Sequence, residues 1–142
     1  MSRIPAGFSQ LKKAFEIHWE NGIRENSQSY YLLKFYAVEC GLKSMYIHKY
    51  DRFHSMSSEE MHADHRHKLD KWIRELSIPA SQIGEPPRFR IRRGGRTEPQ
   101  RDIERVHEAW RYGVAIDQDD EITILRWLNE VSNWIRDGLK EA

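Results

Sequence analysis

The stretch from Tyr30 to Tyr50, YYLLKFYAVECGLKSMYIHKY, decides the fold because nearly every face of the helix it predicts is apolar. Apolar or aromatic residues occupy almost all angles of a helical wheel drawn through it, and such a helix lies inside a protein or a membrane. Lys34, Glu39 and Lys43 interrupt the run at intervals of four or five residues, which leaves no segment long enough to span a bilayer. The sequence therefore predicts a buried central helix, and no membrane association is expected.

The middle of this stretch also predicts close helix packing. Cys40 and Gly41 are small, so a neighbouring helix is expected to approach closely on the side where they lie. Glu39 and Lys43 stand four positions apart with the acid first, an order that stabilises a helix by about 0.2–0.5 kcal/mol. Cys40 is the only cysteine, which excludes an intramolecular disulfide and fits a reducing cytoplasm.

Length and composition predict a single domain covering residues 1–142. Apolar residues make up 39% of the chain and charged residues 32%, as in ordinary soluble proteins. The net charge of +1 provides no global attraction to nucleic acid, so any basic binding site must be local. The first ten residues, MSRIPAGFSQ, lack the apolar core of a signal peptide, and a cytoplasmic location is expected. No cofactor is expected.

Two amphipathic helices are predicted to flank the central one along the chain. Apolar residues recur at three- and four-residue spacing in the first of them: Phe8, Leu11, Phe15, Trp19 and Ile23. The third helix is expected to open at a capping box of Ser57 and Glu60 and to end at Ile78 and Pro79. Its apolar stripe includes one histidine: Met61, His65, Leu69, Trp72, Ile73 and Leu76.

Residues 79–100 form a predicted loop, because prolines and glycines interrupt any regular element there. Loops of this length inside a compact domain are usually functional or disordered. Five arginines in the segment RFRIRRGGR suit the phosphates of a nucleic acid: Arg88, Arg90, Arg92, Arg93 and Arg96. Phe89 is the expected stacking surface for a base. The alternatives are a solvated insertion or an arm that binds an acidic protein partner.

The last two helices are predicted from about Arg101 to Asp117, and from Asp119 or Asp120, as the capping residue, toward the C-terminus. One apolar stripe of the fifth helix is expected to face the core: Ile122, Leu125, Leu128, Ile135 and Leu139. A second stripe is expected to be exposed and to form a homodimer or partner interface: Ile124, Trp127, Val131 and Trp134. Four to five helices without a strand pattern predict an all-α helical bundle.

Three short motifs resemble those of HEPN domains, which are small up-and-down helical bundles of prokaryotic nucleases, toxins and defence proteins. Ala37–Lys43, AVECGLK, is similar to the A-x-E-x-x-L-K signature of the second HEPN helix. His67–Leu69, HKL, resembles a structural His-x-Leu of the third helix, and Trp110–Tyr112, WRY, resembles an aromatic–arginine cluster ending the fourth. The resemblance covers most of the chain and implies a HEPN-like fold.

The same resemblance implies a site for RNA cleavage, because HEPN ribonucleases carry Arg-x(4–6)-His near the start of a late helix. Arg101 and His107 fit this spacing, with the polar Asp102 directly after the arginine. The family implies His107 as acid and base, Arg101 as phosphate clamp and Asp102 as an orienting group. Histidine moves protons near neutral pH, and arginine binds phosphate with a planar fork. The two side chains point about 120° apart on one helix, a mismatch that a composite site across a dimer would relieve.

Two functions are open on this basis. The first is a metal-independent endoribonuclease of a toxin–antitoxin or antiviral defence system that acts on RNA as a homodimer. The alternative is a non-catalytic adaptor or antitoxin-like subunit of a larger defence complex, since many HEPN-like domains lack catalysis. His107 distinguishes the two hypotheses, because it shares a stripe with Ile103, Trp110 and Val114. It would line a solvent-accessible cleft in the enzyme and would be buried and hydrogen-bonded in the adaptor.

A histidine-rich region around the third helix suggests metal binding at first sight: His48, His54, His62, His65 and His67. His62 and His65 share a helix face at three-residue spacing. No cysteine accompanies them, however, and the H-E-x-x-H arrangement of zinc enzymes is absent. No metal site is therefore expected.

Overall fold

The computed structural model describes residues 7–50, 67–94 and 98–140. The regular elements of these residues are all helical, which confirms the predicted all-α class. The described ranges contain six α-helices and one 3₁₀ turn: α1 (Phe8–Gly22), α2 (Gln28–Tyr50), α3 (Leu69–Glu75), α4 (Ala80–Ile83), the 3₁₀ turn (Ile103–Arg105), α5 (Val106–Tyr112) and α6 (Gln118–Lys140). None of these helices is both long enough and apolar enough to cross a bilayer.

α2 lies at the centre of the packed helices, as its sequence predicts. Four of its apolar side chains are inaccessible to solvent: Phe35, Ala37, Val38 and Leu42. Full burial of a side chain the size of leucine or phenylalanine contributes about 1.5–3 kcal/mol. α1, α3, α5 and α6 all pack against α2. α1 runs antiparallel to it, because Gly22 lies beside Lys34 whereas Phe15 lies beside Gly41, farther along α2.

A close approach at Gly41 brings three helices together. A Cβ atom built at Gly41 would lie 2.8 Å from Ile135 on α6 and 2.9 Å from Phe15 on α1. These distances are shorter than real carbon–carbon contacts, so a side chain fits here only if both neighbours move. The predicted close approach is confirmed. α6 runs parallel to α2, because Gly138 lies beside Met45 one turn farther along both helices.

The second apolar stripe of α6 is buried, and the prediction that it forms an exposed interface is wrong. Three of its four side chains are at most 5% exposed: Ile124, Trp127 and Val131. The fourth, Trp134, is partly buried, and its indole N–H donates to Gln82 Oε1 at 2.8 Å. α4 packs against α6 and contributes the buried Ile83 to the core. The predicted loop region therefore covers this stripe, and the stripe no longer supports a homodimer.

The described part of segment 79–100, residues 79–94 and 98–100, is anchored to the rest of the chain at two points. Phe89 forms an isolated antiparallel bridge with Arg101, and Ile91 forms another with Ile116. Phe89 is 1% exposed and Ile116 is 3% exposed, so both bridges bring an apolar side chain into the core. Backbone hydrogen bonds of 2.8–2.9 Å extend the second pairing to residues 115 and 117. Residues 88–93, in which Phe89 and Ile91 alternate with arginines, thus form a short extended segment, the arginine ribbon.

The ends of the late helices differ from their predicted positions. Asp117 Oδ2 accepts the backbone N–H of Asp120 at 3.1 Å, so Asp117 caps α6 in place of Asp119 or Asp120. The predicted fourth helix is a 3₁₀ turn followed by the short α5. α5 ends because Gly113 has a φ of 73°, a left-handed conformation that glycine adopts without strain.

The predicted third helix is described only in its C-terminal part. α3 spans Leu69–Glu75 and places Leu69 and Trp72 in the core. The predicted capping box of Ser57 and Glu60 falls within residues 51–66, which lie outside the described residues.

Substitution of Gly41 tests the close approach at the centre of the fold. Gly→Ala within a helix normally gains about 1 kcal/mol of helix propensity. At Gly41 we expect the opposite sign, because overpacking against Ile135 and Phe15 costs about 1–3 kcal/mol. Gly41→Ala should lower the free energy of unfolding in urea by about 1 kcal/mol, and Gly41→Val should lower it further.

Gly138→Ala is the matched control on α6. Its Cβ would meet only the terminal atoms of Met45, a flexible side chain that can turn away. This variant should be as stable as the wild type or more stable. Equal effects of alanine at the two positions would contradict the close approach at Gly41.

Candidate functional site

His107 lies in the first turn of α5 and is 7% exposed. Its ring packs against Phe35 at 5.4 Å and against His67 at 4.3 Å between ring centroids. Its Nδ1 lies 2.5 Å from the carbonyl oxygen of Glu104. A carbonyl oxygen only accepts, so Nδ1 carries the proton and donates it, and Nε2 of the neutral ring is the acceptor. His107 thus occupies the buried, hydrogen-bonded position that the adaptor hypothesis expects.

Arg101 and Asp102 lie at the surface, and each has a contact with the segment around Phe89. Arg101 is exposed, and its backbone N–H and C=O pair with Phe89 at 2.8 and 3.1 Å. Asp102 is also exposed, and its Oδ1 lies 3.4 Å from Nε of Arg88, so its carboxylate is engaged with the arginine ribbon. The catalytic grouping of Arg101, Asp102 and His107 therefore stays a prediction. A composite site built from two chains stays a prediction.

A buried carboxylate on α2 links the residues that resemble HEPN motifs. Glu39 is 5% exposed, and its Oε1 lies 3.2 Å from Nδ1 of His67. Its Oε2 accepts the backbone N–H of His67 and lies 4.0 Å from Nζ of the buried Lys43. One carboxylate therefore binds both the ring and the backbone of the residue that leads into α3. Glu39 belongs to the motif Ala37–Lys43, and His67 belongs to the motif His67–Leu69. The structure shows that the two motifs contact each other through these residues.

The contact of Glu39 with His67 stabilises an unfavourable backbone conformation. His67 has a φ of 60°, a left-handed value that costs a non-glycine residue about 1–2 kcal/mol. Burial acts to raise the pKa of Glu39, but the hydrogen bond from His67 and the positive charge of Lys43 outweigh it and hold that pKa below its ordinary value. Glu39 is therefore ionised at neutral pH, and a charged hydrogen bond fixes the entry to α3.

The cluster around His67 and His107 reaches the surface through Arg111. The ring of His67 is 25% exposed and lies 5.9 Å from the ring of Tyr36. The guanidinium of the exposed Arg111 donates to the hydroxyl of Tyr36 at 2.5 Å. Burial, and then the charge of His67, lower the pKa of His107. Chemically, this cluster combines a carboxylate-oriented imidazole with a second imidazole and a surface cation.

The only cysteine offers no nucleophile for a covalent mechanism. Burial raises the pKa of the Cys40 thiol to about 11, with a smaller raising effect from Glu39, despite the opposing charge of Lys43. Reactive cysteines have a lowered pKa, since the thiolate is the attacking form. Cys40 is therefore a packing residue at neutral pH.

The predicted arginine surface is exposed, but its predicted stacking residue is not. Four arginines of the ribbon lie exposed: Arg88, Arg90, Arg92 and Arg93. Arg96 falls outside the described residues. Arg93 Nε lies 3.7 Å from Glu98, a surface pair of the kind that contributes little to stability. The expectation that Phe89 stacks on a base is wrong, because the ring is 1% exposed and belongs to the core.

Tyr112 is the exposed aromatic residue that sequence reasoning did not assign to binding. It is 71% exposed at the last position of α5, and Arg111 lies 6.0 Å from its ring centroid. Its ring lines a groove together with Arg101 and Arg105. The W-R-Y motif gave a signal for this position, but the pattern cannot show which of its two rings is buried. Trp110 is 2% exposed and donates its indole N–H to Glu121 at 3.0 Å.

The histidines of the metal hypothesis fall mainly outside the described residues, which is the case for His54, His62 and His65. Among the residues in the described ranges, no three histidine, cysteine or carboxylate side chains gather as metal ligands do.

No protein-family model, curated protein or solved structure matches this chain. The HEPN resemblance therefore rests on the residues of the chain itself.

Replacement of Glu39 tests the contact that connects α2 with α3. Glu39→Gln keeps the shape of the side chain but removes the charge that faces His67 and Lys43. Removing one member of a buried ion pair costs about 3–5 kcal/mol, so this variant should lose about 3 kcal/mol of unfolding free energy. Glu108→Gln is the control, because Glu108 pairs with Arg105 at 2.9 Å on the exposed face of α5 and should cost under about 1 kcal/mol. Similar losses in the two variants would show that the Glu39 charge has no special role.

The burial of His107 predicts a specific dependence of stability on pH. Its pKa is lower in the folded state than the ordinary value of 6.5, so the unfolded chain takes up the proton first. The stability that the buried neutral ring of His107 contributes is complete above pH 6.5, and it is lost as the pH falls through the folded-state pKa of His107. His107→Gln should flatten this loss in urea denaturation measured between pH 7 and pH 5. An unchanged pH slope in His107→Gln would show that the imidazole does not titrate in a buried position.

Proposed function

We propose that this protein is a non-catalytic, HEPN-like helical subunit that binds RNA through its exposed arginines. The proposal that the protein is non-catalytic rests on the position of His107. Its ring is 7% exposed, donates Nδ1–H to Glu104 and stacks on His67, while the backbone of Arg101 pairs with Phe89. A general acid must come within hydrogen-bonding reach of the group to which it transfers a proton, and the surroundings of His107 favour packing over such contact.

The distribution of charge supports the RNA-binding part of the proposal. Residues 88–111 contain eight arginines and four carboxylates, a net charge of +4 in a chain whose total is +1. The arginines of this segment that the structure describes are all exposed. A local concentration of guanidinium groups attracts the phosphates of a nucleic acid, and it does so even when the whole protein is nearly neutral.

The biological setting of this proposal follows from the HEPN resemblance. It is a toxin–antitoxin or antiviral defence complex in the cytoplasm, where the chain acts as an adaptor or antitoxin-like component with a protein partner or a second copy of itself. Light scattering of the isolated protein distinguishes a monomeric subunit from a self-associating one.

A metal-independent endoribonuclease is the second candidate, and the cluster around His67 favours it. Glu39 orients the ring of His67, which is 25% exposed, and His107 and Arg111 lie on the same side of α5. Two imidazoles beside a guanidinium are sufficient for acid–base cleavage of RNA by its own 2′-hydroxyl. In this alternative, Arg111 and not Arg101 of the same chain is the cation beside the histidines.

An RNA-binding assay with a cleavage readout separates the two functions. The wild type should bind single-stranded RNA in EDTA with a marked dependence on salt and leave the RNA intact. Arg90→Gln, Arg92→Gln and Arg93→Gln together should weaken binding to all RNAs alike, and the slope of log affinity against log salt should fall by about 0.7 for each phosphate that the variant no longer binds.

The matched control removes the same charge elsewhere. Arg24, Arg74 and Arg126 are exposed outside the ribbon, and their combined change to Gln should leave the salt slope near that of the wild type. Equal effects of the two triple variants, or no RNA binding at all, would reject the proposal. Cleavage in EDTA to 2′,3′-cyclic phosphate products, abolished in Arg111→Ala, would establish the endoribonuclease instead.

A further inference from the structure

A shallow groove beside α5 has the composition of a nucleotide-binding subsite. Its volume is about 180 Å³, which is smaller than the 300–1,000 Å³ typical of pockets for larger ligands. Four of its lining residues are apolar: Phe89, Ile91, Ala109 and Val114. Arg101, Arg105, Glu108 and Tyr112 stand around it. A groove of this size suits a single flat ring and not a whole cofactor.

Tyr112 provides an exposed flat surface at this groove. It is 71% exposed, whereas the other large apolar side chains with more than 40% exposure in the described part of the chain are isoleucines: Ile17, Ile23 and Ile122. A tyrosine this accessible stabilises little in the fold, but a base can stack on its ring. It follows directly on Arg111, whose guanidinium is held by the hydroxyl of Tyr36, so cation and ring lie close together.

The charged groups around the groove leave it positive. Arg105 and Glu108 compensate each other at 2.9 Å, and Asp102, the carboxylate next to Arg101 in sequence, is paired with Arg88. The backbone of Arg101 is fixed by two hydrogen bonds to Phe89, and Arg101 lines the groove. The result is a guanidinium group and an exposed aromatic ring at one groove whose lining is partly apolar. This combination matches a base and its adjoining phosphate.

We infer that the groove holds one nucleotide of a single-stranded nucleic acid, with the base stacked on Tyr112 and its phosphate bound by Arg101. The inference rests on the proposed RNA-binding function and extends it, because it assigns the contact that recognises a base and not only the backbone. An acidic peptide is the competing occupant, since arginines also attract carboxylates. Stacking distinguishes the two ligands, because carboxylates carry no flat aromatic face.

The experiment compares oligonucleotides with and without bases. Fluorescence anisotropy with a short single-stranded RNA, the equivalent DNA and an abasic DNA of equal length measures the base and the phosphate contributions separately. Tyr112→Ala should weaken binding to the RNA and to the DNA with bases by roughly 5- to 150-fold, and should leave the abasic affinity and the salt slope unchanged. Tyr112→Phe should restore wild-type binding, and Ile122→Ala should have no effect.

Arg101→Gln tests the phosphate contact in the same assay. It should lower the salt slope by about 0.7 on all oligonucleotides, including the abasic one, because its contact does not depend on a base. Weaker binding in Tyr112→Ala to oligonucleotides with and without bases alike would overturn the stacking assignment.

Failure of this inference differs from failure of the proposed function. If the wild type binds RNA with the expected salt dependence but Tyr112→Ala binds equally well, the proposal of RNA binding through the arginines is retained. The groove is then not the nucleotide site. If the wild type binds none of the oligonucleotides, both proposals fall. Tyr112-dependent binding of an oligoglutamate peptide, tighter than that of the RNA, would assign the groove to an acidic protein partner.

Discussion

The burial of α2 on all of its faces is the constraint that determines how the other helices are arranged. Phe35 lies on one side of α2 and Ala37 and Ser44 lie on the opposite side, and all three are inaccessible to solvent, so neighbours must cover α2 from every side. α1, α3, α5 and α6 provide this cover. Gly41 then sets the distance, because its missing side chain is what allows both Phe15 and Ile135 to reach the helix. The fold is thus organised around one apolar helix and one position without a side chain.

A helix buried in this way has little room for charge, yet α2 carries two charged residues in its buried half. Glu39 and Lys43 are 5% and 6% exposed. Ionised groups so far from water are retained only with partners that compensate the loss of hydration. For Glu39 these partners are the backbone and ring of His67, which also places His67 against His107. The same contact therefore connects α3 with α5 and gives both histidines a structural purpose.

The surface carries a local concentration of positive charge, on which the proposed RNA binding rests. His107 is buried and His67 is partly buried, whereas the arginines that the structure describes within residues 88–111 are exposed. The segment around Phe89 is held to the core by Phe89 and Ile116, so the backbone beneath these positive charges has a fixed position. Anchored arginines lose less conformational entropy on binding than arginines on a free loop. A rigid positive surface next to an exposed Tyr112 is suited to recognition of a flexible strand.

The sequence by itself determined the helical class, the central position of α2 and the close approach at Gly41. All three follow from local periodicity and side-chain size, which are properties of a single segment. Only the tertiary structure decided that the second stripe on α6, Phe89 and His107 are buried. The sequence pattern of apolar residues is the same whether their side chains pack against their own chain or against a partner. The burial of Trp127 by α4 could therefore not be inferred. In the same way, the spacing between Arg101 and His107 fixes their distance along the chain. Their surroundings depend on the Phe89 bridge and on His67, which are contacts between distant segments.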